Sequence, residues 1–130
     1  MSLKGTSPLT VLIADDFADT RALLRQMLET HDYRVVEAAN GQEAVEIAQS
    51  ACPNLILMDL NMPLVDGLSA ATQIREGNGR CRNVPILAIT AFDTYGMREA
   101  AIEAGFDDYI TQPFDLSEFN RVLRRLMPGL

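Results

Sequence analysis

Five polar residues of this sequence come directly after short apolar runs, at positions where buried strands would end. They are Asp15, Asp16, Asp59, Thr90 and Gln112. If the runs form one parallel sheet, these residues meet at its carboxyl edge, where ligands bind in open α/β folds. Two like charges ~4 Å apart repel by roughly 4 kcal/mol at an effective dielectric constant of about 20, so three clustered carboxylates favour a cation. Oxygen ligands without His or Cys favour Mg²⁺ or Mn²⁺.

The Asp15-Asp16 pair also has an ordinary structural interpretation. Both side chains stand just before a helical pattern that starts at Thr20, where they could cap the helix and compensate its dipole. The coincidence with Asp59 and Thr90 at matching strand ends favours the metal site instead.

Strands and helices that could position these residues alternate along the chain. Apolar runs predict strands at Leu9–Ala14, Arg34–Ala38, Asn54–Met58, Ile86–Ile89 and Asp107–Ile110. Helical periodicity follows each strand, from Thr20, Asn40, Asp66, Met97 and Asp115 in turn. This alternation predicts βαβ units with right-handed crossovers and a parallel sheet. Continuous apolar strands indicate burial on both faces, so we predict an α/β fold in the form of a three-layer, doubly wound sandwich.

Local signals define the ends and the inner faces of the helices. Asp115 followed by Glu118 has the spacing of a capping box, and Gly105 is placed to end a helix. The helical pattern predicts that Leu23 and Leu116 face the core.

Length, composition and charge limit the class of protein. The chain has 130 residues, 48% of them hydrophobic, and no apolar run of membrane-spanning length, which predicts one globular domain without membrane contact. Its net charge of −7 argues against direct nucleic-acid binding. Cys52 and Cys81 suggest no disulfide framework, so we expect free thiols and a cytoplasmic location. We expect residues 1–7 to form a disordered tail that derives in part from an expression vector.

A set of motifs resembles the receiver domain of two-component response regulators, in the CheY-like superfamily. The set consists of Asp15-Asp16, Met58–Pro63, Asp66-Gly67, Thr90-Ala91, Gly105, Tyr109 and Pro113-Phe114. It is specific as a set, although each member alone is weak, and it extends from about Leu9 to Met127. The resemblance implies a flavodoxin-like, five-stranded sheet of order 2-1-3-4-5 with five helices, in a receiver domain at residues 8–128.

The resemblance also implies a phosphoacceptor and a metal site. Asp59 would accept a phosphoryl group from a histidine kinase or a histidine phosphotransferase, as part of two-component or phosphorelay signalling. Asp16 and Asp59 would bind Mg²⁺ directly, Asp15 through water, and Asn61 through its main-chain carbonyl. Such a domain is a signalling switch and not an enzyme, since it catalyses only its own phosphoryl transfer and dephosphorylation.

A switch that connects the site to a protein-binding face is a further implication. The Thr90 hydroxyl would bind the phosphoryl oxygen, and its movement would open space for Tyr109 to swing inward. The face formed by helix 97–104, strand 107–110 and helix 115–127 would then bind a downstream protein or output domain. Whether the chain also forms a homodimer, and whether it is free-standing or part of a larger regulator or hybrid kinase, stays open.

Gln112 departs from the family pattern, which has a lysine at this position. An amide still donates hydrogen bonds but carries no charge, so the charge-assisted bond is lost. Two interpretations stay open: a receiver that is phosphorylated with Mg²⁺ but transmits the signal differently, or a degenerate receiver that binds proteins independently of phosphorylation. The Gln112–Pro113 bond is expected to be cis, as the resemblance implies.

Other classes fit the sequence less well. A flavodoxin needs Ser, Thr and Gly after the first strand, whereas this chain has Asp15–Asp19, which would repel a phosphate without metal. A dinucleotide-binding enzyme would need a GxGxxG motif, which the sequence lacks. A haloacid-dehalogenase-like phosphatase needs a second Asp two residues after its nucleophile, where this chain has Asn61.

Overall fold

A five-stranded parallel sheet lies between two helical layers in the computed structural model, which describes residues 9–29, 32–77, 80–91 and 94–127. The elements are β1 (Thr10–Ala14), α1 (Ala18–Leu28), β2 (Arg34–Ala38), α2 (Gly41–Ala51), β3 (Leu55–Met58), α3 (Gly67–Glu76), a 3₁₀ helix (Arg80–Asn83), β4 (Ile86–Thr90), α4 (Met97–Ala104), β5 (Asp108–Thr111) and α5 (Leu116–Leu126). The strand order is β2-β1-β3-β4-β5. The predicted fold class and sheet order are confirmed.

Residues outside the described ranges include the predicted tail 1–7 and both predicted limits of the domain, residues 8 and 128. Within the described ranges, no helix has the length and hydropathy that a membrane crossing requires.

Two apolar cores lie on opposite faces of the sheet. Leu12 and Ala14 of β1 pack into one core with α2, α3 and α4, whereas Val11 and Ile13 pack into the other with α1 and α5. Strands β1, β3 and β4 therefore bury both of their faces, which explains their continuous apolar runs. This arrangement is the three-layer sandwich that the sequence predicts.

Asp115 caps α5 and Gly105 ends α4 as predicted, but two predicted core positions are wrong. The Asp115 side chain accepts the Glu118 N–H, and the Phe114 and Phe119 rings stack with centroids 5.7 Å apart. In contrast, Leu23 and Leu116 are 52% and 43% exposed. Both line a groove between α1 and the β5–α5 loop, because α1 meets the sheet along the stripe that contains its buried leucines.

The expectation of free thiols is wrong, because Cys52 and Cys81 form a disulfide. Cys52 ends α2 in a left-handed conformation, and Cys81 lies in the 3₁₀ helix that packs beside it, with the two Cα atoms 5.0 Å apart. Helices α2 and α3 pack side by side, so the segments that follow them meet. The two residues are 29 positions apart, and no sequence motif encodes this proximity.

Arg75 of α3 joins several segments at the amino edge of the sheet. Its guanidinium donates to the carbonyls of Arg82, Val84 and Gly105 and to the Asp107 carboxylate. Gly105 is necessary here, because its φ is +116° and an added Cβ would lie 2.7 Å from the Arg75 Cγ. Asp107 also accepts the N–H of the first residue of β4, at 2.8 Å. This network fixes α3, β4 and β5 relative to one another.

Candidate functional site

Hydrogen bonds of the sheet itself hold the loops that carry the predicted site residues. The Asp15 N–H donates to the last carbonyl of β2 at 3.1 Å, and the Asp59 N–H donates to the last carbonyl of β1 at 3.0 Å. The Gln112 N–H donates to the Thr90 carbonyl at 2.8 Å. Each residue therefore lies one step beyond the regular strands, with its main chain still fixed by a neighbouring strand.

The three predicted carboxylates converge at the carboxyl edge. Asp15, Asp16 and Asp59 each offer an oxygen, and these oxygens lie within 4.8 Å of one another. They line a cavity of about 370 Å³ together with Phe17, Asn61 and Gln112. Asp15 is buried, Asp59 is half-buried and Asp16 is exposed, so the cluster opens to solvent on one side.

Burial and mutual repulsion make the first carboxylate of this cluster a weak acid. Burial raises the pKa of Asp15 from 3.8 to about 6; the Phe17 N–H opposes this shift, and the charges of Asp59 and Asp16 add to it. The Phe17 N–H donates to Asp15 Oδ1 at 2.8 Å, so Asp15 stabilises the turn before α1, where Phe17 is the N-cap.

The pKa of the Asp59 carboxyl is raised as well. Burial raises its pKa, the Asn61 N–H lowers it, and the neighbouring Asp16 charge raises it again. The Thr90 hydroxyl also donates a hydrogen bond to this carboxylate. Among the residues that the structure describes, none of the three carboxylates forms an ion pair.

The donor set fits a hard divalent cation. Three carboxylate oxygens lie close enough to share one ion, and the cluster contains neither His nor Cys. Burial and the neighbouring negative charges raise the pKa of Asp15 and of Asp59, and a bound cation would favour the ionised carboxylates again.

Close packing fixes the loop that follows Asp59. A Cβ added to Gly67 would lie 2.4 Å from the Asp59 carbonyl oxygen, so only glycine fits there. A Cβ on Gly41, at the start of α2, would lie 1.7 Å from the Val65 carbonyl oxygen. Leu64 precedes Val65 in the loop between Asp59 and Gly67. Its φ is left-handed at 69°, and its side chain is 76% exposed. Two glycines from different elements therefore hold a strained loop beside the candidate nucleophile.

Arg21 is a site-supporting residue that the sequence interpretation missed. Its Nη1 donates to the Asp15 carbonyl at 2.7 Å, and its Nε donates to Glu37 Oε1 at 2.8 Å. Glu37 also binds Arg25, and these two arginines lower the pKa of the Glu37 carboxyl. The sequence contains one signal for this network: Arg21 and Arg25 are one helical turn apart, and β2 contains a single acid. That signal does not identify the Asp15 carbonyl as a partner of Arg21.

The two predicted switch residues are buried side chains of the sheet, Thr90 at the end of β4 and Tyr109 in β5. Thr90 is 1% exposed and Tyr109 is 4% exposed, so the tyrosine is fully buried in this structure. Tyr109 lies opposite Ala88 of β4 and belongs to the core that includes Ala101 of α4. The Gln112–Pro113 bond is cis, as expected.

Comparisons with known sequences identify a family. Residues 11–124 match the model of the response regulator receiver domain. Response regulator MprA of Mycolicibacterium vanbaalenii is 36% identical, over 92% of this chain and 51% of its own length. The chain spans about half the length of several curated relatives that it matches.

Solved structures agree with this match. The receiver domain of sensor histidine kinase PA1611 from Pseudomonas aeruginosa, which has a magnesium ion coordinated in its active site cleft, is 36% identical with a TM-score of 0.84, over 92% of this chain and 98% of that one. The receiver domain of Saccharomyces cerevisiae Ssk1, crystallised with the histidine phosphotransfer protein Ypd1, is 31% identical with a TM-score of 0.80, over 92% and 88%. With its carboxyl-edge acid cluster on a 2-1-3-4-5 sheet, the chain belongs to the response regulator receiver domains of two-component signalling.

Proposed function

We propose that this receiver domain accepts a phosphoryl group on Asp59, with Mg²⁺ or Mn²⁺ bound, and thereby alters a protein-binding face. The observation that carries this proposal is the cluster of three carboxylate oxygens within 4.8 Å, one of them on a residue that the Thr90 hydroxyl also contacts. Structural ion pairs do not explain the cluster, because within the described ranges its carboxylates have no cationic partner.

The chemical step is an attack by an Asp59 oxygen on the phosphorus of a phosphohistidine. A P–O bond forms, the P–N bond breaks, and its electron pair returns to the imidazole nitrogen. Thr90, at the end of the neighbouring strand, places its hydroxyl beside the acceptor, where it can donate to a phosphoryl oxygen. Later attack by water on the same phosphorus would release phosphate, so the domain acts as a switch and not as an enzyme with an external substrate.

Asp16, Asp59 and the Asn61 main-chain carbonyl would hold the cation, and Asp15 would contact it through water. When bound, the cation supplies positive charge that screens the acceptor from the charged donor. Arg21 supports the arrangement, because it anchors the Asp15 carbonyl and leaves the Asp15 carboxylate directed into the cluster. The magnesium ion in the PA1611 receiver domain supports the assignment.

The direct test of the acceptor is intact-mass analysis after incubation with a small phosphodonor and Mg²⁺. We expect the wild type to gain one phosphoryl group, Asp59→Asn to gain none, and a chelator to prevent the gain in the wild type. No adduct in the wild type under forcing conditions would rule out the proposed acceptor.

Asp66→Asn is the matched control. Asp66 follows in the same loop, and its side chain caps α3 by accepting the Ser69 N–H at 2.8 Å. Asparagine caps a helix about as well as aspartate, so this variant should keep the fold and the phosphoryl gain. Equal loss of the gain in both variants would mean that loop structure, and not the Asp59 carboxylate, is required.

Gln112 supports a second candidate function, a degenerate receiver that binds proteins without phosphorylation. Gln112 lines the carboxylate cavity, where the family pattern has a lysine, and an amide provides no charge to stabilise a phosphoryl group. Partner binding that is equal for the wild type and Asp59→Asn would favour the degenerate receiver, whereas comparison of phosphoryl lifetime in the wild type and in Gln112→Lys tests the influence of this position. We expect the lysine to change the lifetime without a change in fold, and identical lifetimes would show that this position has no influence.

The proposed phosphodonor is a histidine kinase or a histidine phosphotransferase. The complex of the Ssk1 receiver domain with Ypd1 supports this class of partner. The downstream partner, a separate protein or an output domain, would bind the face of α4, β5 and α5, where Ile102 is 49% exposed. We place this function in the cytoplasm, without membrane or direct nucleic-acid binding, and either a monomer or a homodimer is compatible with it.

A further inference from the structure

We infer that the Cys52–Cys81 disulfide is a reversible redox-modification site, which a dithiol reduces and whose reduction loosens the C-terminal end of α4 through Arg75. The inference rests on the proposed function for two points, the cytoplasmic location and the binding face that includes α4. It goes beyond that function, because it assigns to this face a second input that does not pass through Asp59.

The disulfide lies at the amino edge of the sheet, outside both cores. Cys52 and Cys81 are each half-buried, and the two apolar cores are formed by other residues. Solvent therefore reaches the crosslink, and the cores stay packed when it opens. Disulfides in a reducing compartment are usually transient and act in redox sensing. This location therefore favours a reversible bond over a permanent crosslink.

Reduction proceeds by thiol–disulfide exchange. One thiolate of the dithiol attacks Cys52 Sγ, a mixed disulfide forms, and Cys81 leaves as a thiolate that takes up a proton. The second thiolate attacks the reductant sulfur of the mixed disulfide, which releases Cys52 as a thiol and leaves the reductant as a disulfide. Attack at Cys52 is favoured, because the negative end of the α2 dipole disfavours a leaving thiolate there. The cysteines gain two electrons and two protons, and a small-molecule disulfide such as oxidised glutathione reverses these steps.

The crosslink fixes the 3₁₀ helix to the end of α2. Cys81 lies in this short helix, and its carbonyl accepts the Val84 N–H at 3.3 Å. The carbonyl of the next residue, Arg82, accepts Arg75 Nη1 at 2.7 Å. When the crosslink opens, the chain beside this hydrogen bond gains freedom, so the bond to Arg75 weakens.

Arg75 connects the 3₁₀ helix to the end of α4. Its Nε and Nη2 donate to the Gly105 carbonyl at 3.0 and 2.8 Å, and Gly105 is the C-cap of α4. The guanidinium is a rigid plane, so a loss on its Nη1 side alters its alignment with Gly105. The Thr72 hydroxyl also donates to the Ala104 carbonyl, at 3.4 Å, so the end of α4 loosens without detaching.

The end of α4 belongs to the proposed binding face. Ile102 is 49% exposed there, and its carbonyl accepts the Gly105 N–H at 3.1 Å. A looser cap at Gly105 therefore changes the main chain that carries an exposed apolar side chain. Redox state acts on this face from the amino edge, whereas phosphorylation acts on it from the carboxyl edge.

The first test counts thiols in the native chain by maleimide labelling and intact-mass analysis. We expect no label on the untreated protein, two labels after dithiothreitol without denaturant, and none again after oxidised glutathione. Two labels on the untreated protein would overturn the inference. So would a crosslink that dithiothreitol reduces only in denaturant, since that crosslink would be purely structural.

The second test compares the oxidised and reduced wild type by amide NMR. Signals of Val84, Gly105 and Phe106 should shift on reduction. Hydrogen exchange of the Gly105 amide should accelerate by about two- to tenfold, the change in local opening that loss of one hydrogen bond provides. The comparison uses times at which the amide of Leu12, in a strand paired on both sides, is still unexchanged, so that global unfolding does not contribute.

Arg75→Ala separates the two ends of the connection. Reduction of this variant should still shift Val84 but leave Gly105 and Phe106 unchanged. Arg124→Ala, at an exposed site of α5, is the matched control and should keep the wild-type response.

The double variant Cys52→Ser/Cys81→Ser shows whether dithiothreitol acts through the crosslink. Its spectrum should not change with the reagent, and a wild-type response in this variant would contradict the inference.

Two further results would overturn the coupling to α4. One is a reduced wild type with two labels but unchanged Gly105 and Phe106 signals, a comparison that needs no variant. The other is Arg75→Ala with the wild-type response at Gly105.

Failure of the phosphoacceptor proposal is a separate outcome. Asp59→Asn should show the wild-type redox response, because the carboxylate cavity is lined by residues other than Cys52, Cys81, Arg75 and Gly105. A wild type that gains no phosphoryl group but responds to dithiothreitol would disprove the acceptor and retain the redox site.

Discussion

The amino and carboxyl edges of the sheet differ in whether their charged side chains have partners of opposite charge. At the amino edge, the Arg75 guanidinium has three carbonyl acceptors and one carboxylate, and the Cys52–Cys81 disulfide closes the segment beside it. At the carboxyl edge, three carboxylates lie within 4.8 Å, and no cation of the described chain pairs with them.

This difference indicates that the amino edge contributes mainly to the stability of the domain, whereas the carboxyl edge carries the candidate site. A satisfied polar network and a crosslink stabilise the folded state, whereas clustered like charges destabilise it unless a ligand binds. Strand ends at the carboxyl edge can therefore retain unfavourable charge, because the opposite edge compensates for it. The following predictions perturb first one edge and then the other.

Loss of the disulfide should have the largest effect. The crosslink closes a loop of 29 residues, and the chain-entropy model assigns such a loop about 3.5 kcal/mol of unfolding free energy. Chemical denaturation of Cys52→Ser/Cys81→Ser should show this loss relative to the oxidised wild type. Reductant should destabilise the wild type but not the double variant, and equal responses would contradict a disulfide in solution.

Arg75→Ala should reduce the unfolding free energy by about 2 to 3 kcal/mol, because it leaves three carbonyls without this donor and removes the ion pair of Asp107, whose carboxylate keeps the Ile86 N–H. Denaturation curves measure this change. Arg124→Ala, at an exposed site of α5, is the control and should change stability by less than about 0.5 kcal/mol. Similar values for both variants would mean that the Arg75 network does not stabilise the amino edge.

Asp15→Asn should have the opposite sign and stabilise the protein in the presence of a chelator at pH 7.5. A rise in pKa from 3.8 to about 6 corresponds to at most about 3 kcal/mol, and we expect a gain of about 1 to 2 kcal/mol because solvent screens the open side of the cluster. Mg²⁺ should reverse the order of stability, since it stabilises the wild type by binding its folded state. A destabilised variant in chelator would contradict unfavourable charge at this edge.

The same shift predicts a pH dependence. Between pH 3.8 and about 6 the folded protein holds a proton on Asp15 that the unfolded chain releases, so the unfolding free energy of the metal-free wild type should contain a contribution that falls as pH rises. The contribution is fully lost above that window. Asp15→Asn should lack this contribution, and parallel pH profiles for the two proteins would contradict the raised pKa.

Gln112→Lys should have the smallest effect on stability, a gain of about 0.5 to 1 kcal/mol in chelator, because a cation at the rim of the cavity attracts the carboxylates through solvent. The gain should shrink at high salt. Gln112→Met, which has a similar length and no charge, is the control. The same gain in both variants would mean that packing, and not charge, stabilises this edge.

Local sequence signals were sufficient for the fold class and for the convergence of the strand-end residues, but not for Arg21. Apolar runs that end in a polar residue predicted where Asp15, Asp59 and Thr90 would lie, because strand ends are encoded by neighbouring residues. Sheet order required the resemblance to a family, and only that resemblance suggests a switch role for Tyr109. The sequence interpretation failed for Leu23, since periodicity predicts a helix face but not which neighbour covers it.

Long-range contacts of particular side chains could not be predicted in this way. Arg75 reaches Gly105 across 30 residues, and Cys52 reaches Cys81 across 29. The Arg98 guanidinium carbon of α4 lies 4.9 Å from the centre of the Tyr109 ring of β5, a contact that depends on how these two elements pack. Such contacts follow from the packing of helices on the sheet, and neither residue spacing nor composition encodes that packing.

The pairing of Glu37 with two arginines also affects how this domain meets other molecules. Glu37 lies in β2, at one end of the strand order, where main-chain donors and acceptors on the outer side have no neighbouring strand among the described residues. A charged, ion-paired side chain on an edge strand disfavours the addition of a further strand and so limits aggregation. We therefore expect any self-association of this domain to use a helical surface instead of extending the sheet through β2.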